Sequence, residues 1–194
     1  MTMRLLRRGG SFALVTLAAL AGCDDSVGRN SVLLLNVPPN KDGLLPPQDV
    51  ARLGQFGASI RNLFTTNRAA GKDATGDSTF HDDYGAARAV DGKLDTFWAA
   101  GDGTTSGRLE VDLGGATSVR IVDLAEPIAL GERSKQYHVE VQAPGSTTWT
   151  TISTGTIIGQ RNLIRVNPAR MAQKIAVVIE DARGVPAIAE LGVY

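Results

Sequence analysis

A strict alternation of apolar and polar residues constrains the second half of this sequence more than any other feature. It occurs over residues 109–113 and 137–141, where the apolar positions are Leu109, Val111, Leu113, Tyr137, Val139 and Val141. A period of two residues places successive side chains on opposite faces of an extended chain. Each stretch is therefore predicted to be a β-strand with one buried face and one face in solvent.

Further short strands are predicted around these two. The candidates are Val119–Leu124, Trp149–Ser153, Asn162–Val166, Lys174–Ile179 and Ala187–Tyr194. Glycine and proline pairs are predicted to be turns between strands, at Gly114-Gly115, Pro144-Gly145 and Asn167-Pro168. About eight antiparallel strands in one domain are typical of a sandwich or jelly roll. The predicted fold class is mainly β.

The composition excludes several classes of protein. The 194 residues carry 20 lysines and arginines against 20 aspartates and glutamates, and this balance gives no reason to expect a nucleic-acid partner. A single cysteine excludes an internal disulfide framework, and the two histidines form no zinc-binding motif.

The N-terminal residues are predicted to be an export signal. Three arginines precede an apolar run over residues 12–20, which is too short to span a bilayer. Small residues then precede Cys23, in a pattern that resembles the lipobox of bacterial lipoproteins. The resemblance implies a signal peptide over residues 1–22, a lipid on Cys23, a linker over residues 23–30, and a chain anchored to the periplasmic or cell-surface face of a bacterial membrane. The alternative is an ordinary cleaved signal with an incidental cysteine.

A strand and a helix are predicted within residues 31–70. The run from Val32 to Val37 is largely apolar, as in a parallel strand buried on both faces. The Pro46-Pro47 pair suits the start of a helix, and apolar residues spaced three or four apart follow it to Phe64. One such unit cannot bury its strand alone, so it is predicted to belong to a larger α/β fold.

This strand–helix unit resembles a piece of an enzyme family. Residues 33–43, Leu-Leu-Leu-Asn-Val-Pro-Pro-Asn-Lys-Asp-Gly, and residues 49–57 resemble the last strand and helix of the catalytic barrel of α-L-fucosidases, which are retaining glycoside hydrolases. The resemblance implies that the catalytic carboxylates belong to earlier barrel strands, which have no counterpart in this sequence. Asp42 and Asp49 flank a turn and a helix start and do not replace them. No catalysis is expected of the chain as it stands.

Residues 71–194 resemble a second family. The segments that carry the resemblance are Ala89-Val90-Asp91-Gly92 followed by Asp95, Thr96 and Trp98, then Leu109–Gly114, Arg133–Glu140 and Ile188-Ala189-Glu190. They are similar to the discoidin or coagulation-factor type C family, in the version found at the C-terminus of α-L-fucosidases. The resemblance implies an eight-stranded antiparallel jelly-roll sandwich, of the galactose-binding-like kind, preceded by one strand–helix unit of a barrel.

Oxygen-bearing residues around a sharp turn make residues 91–96 a candidate calcium site. Asp91, Asp95 and Thr96 supply carboxylate and hydroxyl oxygens, and Gly92 permits the turn. The family resemblance adds Glu190, which would tie this loop to the last strand. Such a calcium ion would be structural, because its ligands leave no open position for a reacting water. The alternative is a plain turn beside an exposed charge.

Polar and aromatic residues on the predicted loops are candidates for sugar contacts. In the resembling family these contacts come from variable loops at one end of the sandwich. The resemblance implies as binding residues His81, Asp83, Tyr84, Arg133 and Arg161, with Asp82 and Arg183 beside them. Trp98 is instead predicted to fill the core.

The favoured function is a non-catalytic, lipid-anchored β-sandwich that binds a fucosylated or galactosylated glycan. The first alternative is a fragment or subunit of an active α-L-fucosidase whose catalytic barrel is missing from this chain. The second alternative is a purely structural module in which the helix packs its apolar stripe on the sandwich.

Overall fold

The structure is a computed structural model that describes residues 28, 34 and 36–194. Within these residues the chain forms one α-helix and eight β-strands: α1 (Pro47–Leu63), β1 (Asp73–Gly76), β2 (Trp98–Ala99), β3 (Gly107–Ala125), β4 (Ser134–Gln142), β5 (Trp149–Gly155), β6 (Asn162–Ala182), β7 (Ala187–Ile188) and β8 (Glu190–Val193). The predicted signal peptide and its lipidation residue Cys23 lie outside the described residues. In the part of the chain that the structure describes, no helix is long and apolar enough to cross a membrane.

Two long strands, β3 and β6, form the frame of the sandwich. The first half of β3, residues 107–112, pairs with β1 on one side and with the second half of β6 on the other. The second half of β3, residues 121–125, pairs with β8 and with the first half of β6. β4 adds to β6 and β5 adds to β4, while β2 and β7 form a separate antiparallel pair. The fold is thus mainly β, an antiparallel jelly-roll sandwich, as predicted.

Two of the predicted turns lie inside the long strands. The Gly114-Gly115 pair, with φ angles of 78° and 157°, lies within β3 where its register with β6 shifts. Asn167-Pro168 lies within β6, opposite a second shift. β3 and β6 stay paired with each other on both sides of these breaks. The breaks therefore bend the two-stranded ribbon that β3 and β6 form and do not reverse the chain direction. The third pair, Pro144-Gly145, is a turn as predicted.

The core lies between the two halves of the bent ribbon. Every inward position predicted on β3 and β4 is buried. The largest fully buried side chains include Trp98, Leu109, Ile121, Leu124, Ile158, Ile175, Ile179, Ile188 and Leu191. Trp98 is 0% exposed, and its indole N–H donates to the carbonyl oxygen of Ser78 at 3.0 Å. The prediction that Trp98 fills the core is confirmed.

The helix α1 has the predicted bounds but is scarcely packed on the sandwich. It begins at Pro47 and is capped by Phe64. None of its residues is buried, and Val50 and Leu53 of its apolar stripe are 52% and 37% exposed. At its end the Phe64 ring meets the Tyr194 ring edge to face, with centroids 4.9 Å apart. The first part of the apolar stripe is therefore exposed, whereas Phe56, Ile60 and Leu63 further along it are half-buried.

The strand predicted ahead of α1 falls largely outside the described residues. Leu34 and residues 36–37 have no regular secondary structure, and the other positions of the predicted strand are not described. The turn predicted after it is present, because the Gly43 amide donates to the carbonyl of Asn40 at 3.1 Å.

Contacts with the sandwich begin ahead of the boundary predicted at residue 71. The side-chain oxygen of Asn67 accepts a hydrogen bond from the Val193 amide at 2.9 Å, and the Arg68 amide donates to the Val193 carbonyl at 2.8 Å. The segment that leads into the sandwich therefore lies beside β8, the last strand of the sandwich.

Candidate functional site

A cleft of about 490 Å³ opens among the loops at one end of the sandwich. Three loops form it: the connection from β1 to β2, the turn between β3 and β4, and the connection from β6 to β7. Its lining residues are Phe80, Tyr84, Phe97, Ala99, Leu130, Glu132, Arg133, Arg183, Gly184 and Val185. This combination of apolar walls and a few polar groups is typical of small-ligand sites.

Three aromatic rings form one wall of this cleft. The Tyr84 ring stacks on Phe97, with centroids 4.8 Å apart and 29° between the planes, and Phe80 meets Tyr84 edge to face at 5.9 Å. Main-chain hydrogen bonds hold the wall in place, from the Phe80 amide to the Ala99 carbonyl at 3.0 Å and from the Tyr84 amide to the His81 carbonyl at 2.8 Å. The aromatic surface is therefore preorganised for a ligand.

Two arginines supply charge on the opposite side of the cleft. Arg133 donates from Nη1 to the Val185 carbonyl at 2.7 Å, and the Arg183 amide donates to the Arg133 carbonyl at 2.8 Å. Arg183 also donates from Nη1 to the Glu132 carbonyl at 3.4 Å. These bonds join the β3–β4 turn to the β6–β7 loop across the cleft.

Glu126, a buried carboxylate, fixes the β3–β4 turn from below. It is 3% exposed and accepts hydrogen bonds from the amides of Arg133, Ser134 and Gly159, at 3.1, 2.7 and 2.8 Å. A buried charge is tolerated when donors surround it in this way. The main chain that carries Arg133 is thereby held rigidly at the edge of the cleft.

The predicted sugar-binding residues divide into three groups. Tyr84 and Arg133 line the cleft, together with Arg183. His81 and Asp83 lie outside the lining, where they contact each other at 3.4 Å with side chains 65% and 82% exposed. Arg161 contacts Asp123 instead.

Sequence reasoning missed the apolar part of the cleft, namely Phe97, Leu130 and Val185. The available signal was the spacing of Phe80, Tyr84 and Phe97, three aromatic residues within one loop of a sequence that is only 5% aromatic.

Arg161 and Asp123 form an ion pair that joins the start of β6 to β3. Arg161 donates from Nε to Asp123 at 3.0 Å, and a second contact runs from Nη2 to the other carboxylate oxygen. The Asp123 side chain is 6% exposed and that of Arg161 is 49% exposed. Burial raises the pKa of Asp123 above its ordinary value, although the hydrogen bond and charge of Arg161 act in the opposite direction. In this position Arg161 serves the fold.

The candidate calcium loop, residues 91–96, is tied to the last strand by hydrogen bonds. Asp91 accepts from the Thr96 hydroxyl at 2.8 Å and from the Lys93 amide at 3.0 Å. Glu190 accepts from the Gly92 amide at 3.2 Å. Three of the four predicted ligands therefore lie around Gly92, while the fourth, Asp95, is exposed on the same loop.

Glu190 has the most strongly shifted pKa at this loop. Burial raises its pKa to about 7, the charges of Asp123 and Asp91 act in the same direction, and hydrogen bonds from Gly92 and Asn67 oppose the rise. A half-buried carboxylate near two others is stabilised as an anion by a bound cation. The described residues include no cluster of three or more His, Cys, Asp or Glu side chains arranged for a metal, so hydroxyl and main-chain oxygens would have to complete a calcium shell.

An antiparallel jelly roll that presents an aromatic cleft on its end loops defines the class of β-sandwich binding modules. Residues 73–191 match the family model of the F5/8 type C domain. The chain therefore belongs to the F5/8 type C domain family, as its sequence motifs predicted.

Similar proteins place this domain in the context of fucosidases. Over 174 residues the chain is 31% identical to alpha-L-fucosidase 1 of Arabidopsis thaliana, a match that covers 88% of this chain and 34% of that protein. The GH29 fucosidase of Ruminococcus gnavus, solved in complex with fucose, is 32% identical with a TM-score of 0.84, over 96% of this chain and 38% of that one. The chain thus spans about a third of the length of the curated relatives it matches.

A binding module of another enzyme is also similar. Chitosan-binding module 1, from a chitosanase/glucanase of Paenibacillus sp. IK-5, is 28% identical with a TM-score of 0.60. The match covers 66% of this chain and 98% of that module.

Proposed function

We propose that this chain is a carbohydrate-binding module whose ligand, a fucosylated or galactosylated glycan, occupies the aromatic cleft. The observation that carries the proposal is that the aromatic residues Phe80, Tyr84 and Phe97 line the same cleft as Arg133 and Arg183. A sugar ring has an apolar C–H face that stacks on aromatic side chains, and hydroxyls that hydrogen-bond to charged groups. The similarity to a chitosan-binding module supports the same class of ligand.

The cleft suits a deoxy sugar in particular. Leu130 and Val185 add apolar side chains to the cleft lining, which would accommodate a methyl group such as that of fucose. The Glu132 and Arg183 side chains at the rim would hydrogen-bond to the ring hydroxyls. Because hydrogen bonds already hold both loops, little conformational entropy would be lost on binding.

Binding of fucose- and galactose-terminated oligosaccharides, measured by calorimetry and by NMR titration, tests this proposal. Tyr84→Ala and Phe80→Ala are each expected to weaken binding by about tenfold, because each removes part of the stacking surface. His81→Ala is the matched control and should bind as the parent protein does. Thermal melts of all variants exclude unfolding as the cause. Unchanged binding by Tyr84→Ala and Phe80→Ala would refute the cleft as the site.

We further propose that calcium binds at residues 91–96 and Glu190 in a structural role. Asp91, Asp95, Thr96 and Glu190 would hold the ion, which would supply positive charge to the half-buried Glu190 carboxylate. Calcium at 100 times its Kd is expected to raise the Tm by about 5 °C or more relative to EDTA. Glu190→Gln should abolish this response, whereas Asp42→Asn, a charge change on the distant turn before α1, should leave it intact. Equal melting temperatures in calcium and EDTA would refute the proposal.

The exposed stripe of α1 supports a second candidate function, as a subunit of an α-L-fucosidase assembled with a chain that carries the catalytic barrel. Val50 and Leu53 are exposed on α1, and the match to the Ruminococcus gnavus fucosidase covers 96% of this chain but only 38% of that protein. The purified chain is expected to hydrolyse no aryl fucoside, whereas a complex isolated from the native cell should do so. Hydrolysis by the chain alone would refute a separate barrel.

The N-terminal motif supports export and lipid anchoring through Cys23. Fractionation of cells expressing the full chain is expected to find it in the membrane fraction, and Cys23→Ala should release it from that fraction or block its maturation. Recovery of the unaltered chain in the soluble fraction without a lipid would refute this localisation.

A further inference from the structure

We infer that a second binding site, specific for an oxyanion such as the sulfate ester of a glycan, lies in the groove between the end of α1 and the bend of β3. The groove has a volume of about 320 Å³ and shares no lining residue with the aromatic cleft. It is lined by Asn62, Leu63, Thr65, Thr66, Arg68, Ala116, Thr117, Ser118, Arg120 and Tyr194. Most of these residues are polar, so the groove suits a charged group better than an apolar one.

The main chains of Arg68 and Arg120 hydrogen-bond to two consecutive residues at the end of β8. The Arg68 amide donates to the Val193 carbonyl at 2.8 Å, and the Arg120 amide donates to the Tyr194 carbonyl at 2.7 Å. The last residues of the described chain therefore hold the two arginines on the same groove. Two guanidinium groups that belong to one groove can both donate hydrogen bonds to the several oxygen atoms of a sulfate or carboxylate.

Neither arginine is neutralised within the described part of the chain. Arg68 and Arg120 are exposed there and have no ion pair, whereas Arg88, Arg108 and Arg161 each contact a carboxylate. No aspartate or glutamate lines the groove. The groove thus combines two guanidinium charges with no acidic side chain in its lining, and the main-chain carboxyl group of Tyr194, which accepts from the Arg120 amide, offsets only one of them.

The remaining polar groups favour an anion over a cation. Thr66 and Ser118 contribute hydroxyl-bearing side chains to the lining, and burial raises the pKa of the Tyr194 hydroxyl further above physiological pH, so that hydroxyl is protonated. These groups can donate hydrogen bonds to an oxyanion. The C-terminal end of α1 carries a partial negative charge of about half a unit, which is smaller than the two guanidinium charges together.

Titration with a sulfated monosaccharide, its unsulfated parent and inorganic sulfate tests the site by NMR chemical-shift mapping and calorimetry. The sulfated sugar is expected to bind more tightly than its parent and to shift the Arg68 and Arg120 resonances. A uronic acid in a parallel titration compares a carboxylate with the sulfate. Arg68→Gln combined with Arg120→Gln should weaken binding of the sulfated sugar by about tenfold or more.

Lys41→Gln combined with Lys135→Gln removes the same charge elsewhere and should leave that binding unchanged. If this control pair weakens binding of the sulfated sugar equally, the loss of affinity comes from net charge alone and the inference is overturned. It is also overturned if no oxyanion binds. Tyr84→Ala separates this site from the aromatic cleft. If Tyr84→Ala, and not the arginine pair, removes binding of the sulfated sugar, the anion site is refuted while the cleft stands.

Discussion

Gly76 is the residue on which the packing of Trp98 depends most directly. A Cβ atom at this position would lie 2.3 Å from Trp98 Nε1 and 2.8 Å from the Ser78 carbonyl oxygen. Trp98 is fully buried and Ser78 is fixed by the hydrogen bond it accepts, so neither group can move freely. Gly76→Ala is therefore expected to lower the free energy of unfolding by about 2 to 3 kcal/mol, measured by urea denaturation.

Gly54→Ala provides the control for this substitution. Nothing lies within 4 Å of a Cβ atom at Gly54, which is in the middle of α1. Alanine in a helix interior is favoured over glycine by about 1 kcal/mol, so this variant should be as stable as the parent or slightly more stable. Equal stability of the Gly76 and Gly54 variants would show that the Trp98 site relaxes without cost.

The ion pair between Arg161 and Asp123 predicts a pH-dependent loss of stability. Arg161→Leu leaves the buried Asp123 carboxylate without its cation, which is expected to cost about 3 kcal/mol at pH 7. The pKa of Asp123 is already raised in the folded state, and it should rise further in the variant. A folded pKa above the unfolded one means that stability is lost as pH rises through that range.

The difference between Arg161→Leu and the parent should therefore be smaller near pH 4 than at pH 7, in urea melts at both values. Asp123→Asn combined with Arg161→Leu should recover part of the loss, since no charge is then buried. A loss independent of pH would show that the packing of the Arg161 side chain, and not the charge, is what matters.

Individual residues show which side-chain environments can be predicted from the sequence and which cannot. The alternation on β3 and β4 predicts which side chains are buried, because a strand has only two faces. The partner of Arg161 depends on the pairing of β3 with β6, whose positions are far apart in sequence. No local pattern contains that pairing, so the sequence allowed Arg161 to be placed among the sugar contacts.

The elements differ in how much they contribute to stability, and α1 contributes least. Val50→Glu and Leu53→Glu place charges on its apolar stripe, yet both side chains are already exposed. Each is expected to change the free energy of unfolding by less than about 0.5 kcal/mol. Leu124→Ala on β3, where the side chain is 0% exposed, should cost about 3 kcal/mol in the same urea measurement. A large loss for Leu53→Glu would show that the stripe is covered in solution.

The elements also explain the two turns that the sequence misplaced. Glycine pairs and proline are common to turns and to bulges, because both need unusual backbone angles. What separates the two is whether the chain keeps the same neighbour on both sides of the break. That neighbour, β6 for β3, is a property of the sheet and is absent from the local sequence around Gly114-Gly115 or Asn167-Pro168.

On the scale of the whole molecule, the described chain consists of a cooperative sandwich and a loosely attached helix. Hydrogen exchange monitored by NMR should therefore separate them. Amides of α1 are expected to exchange through local opening, while those of the paired halves of β3 and β6 should exchange only through global unfolding. Protection of α1 equal to that of β3 would contradict a loosely attached helix.

The overall architecture could be predicted because alternation, turn chemistry and family motifs agree. The cleft could be predicted only in part: Tyr84 and Arg133 lie where expected, but its apolar wall is assembled from three loops distant in sequence. The groove at Arg68 and Arg120 could not be predicted, since it exists only where the end of α1 meets the bend of β3.

The entry and exit of the sandwich are neighbours, because Asn67 and Arg68 both hydrogen-bond to Val193. A domain with adjacent ends can be grafted into a surface loop of another protein without stretching either partner. The two ends of the sandwich can also be joined by a short peptide and new ones opened at an exposed turn such as Pro144-Gly145. The sandwich is therefore suited to insertion into another protein, to which it would add both the cleft and the groove.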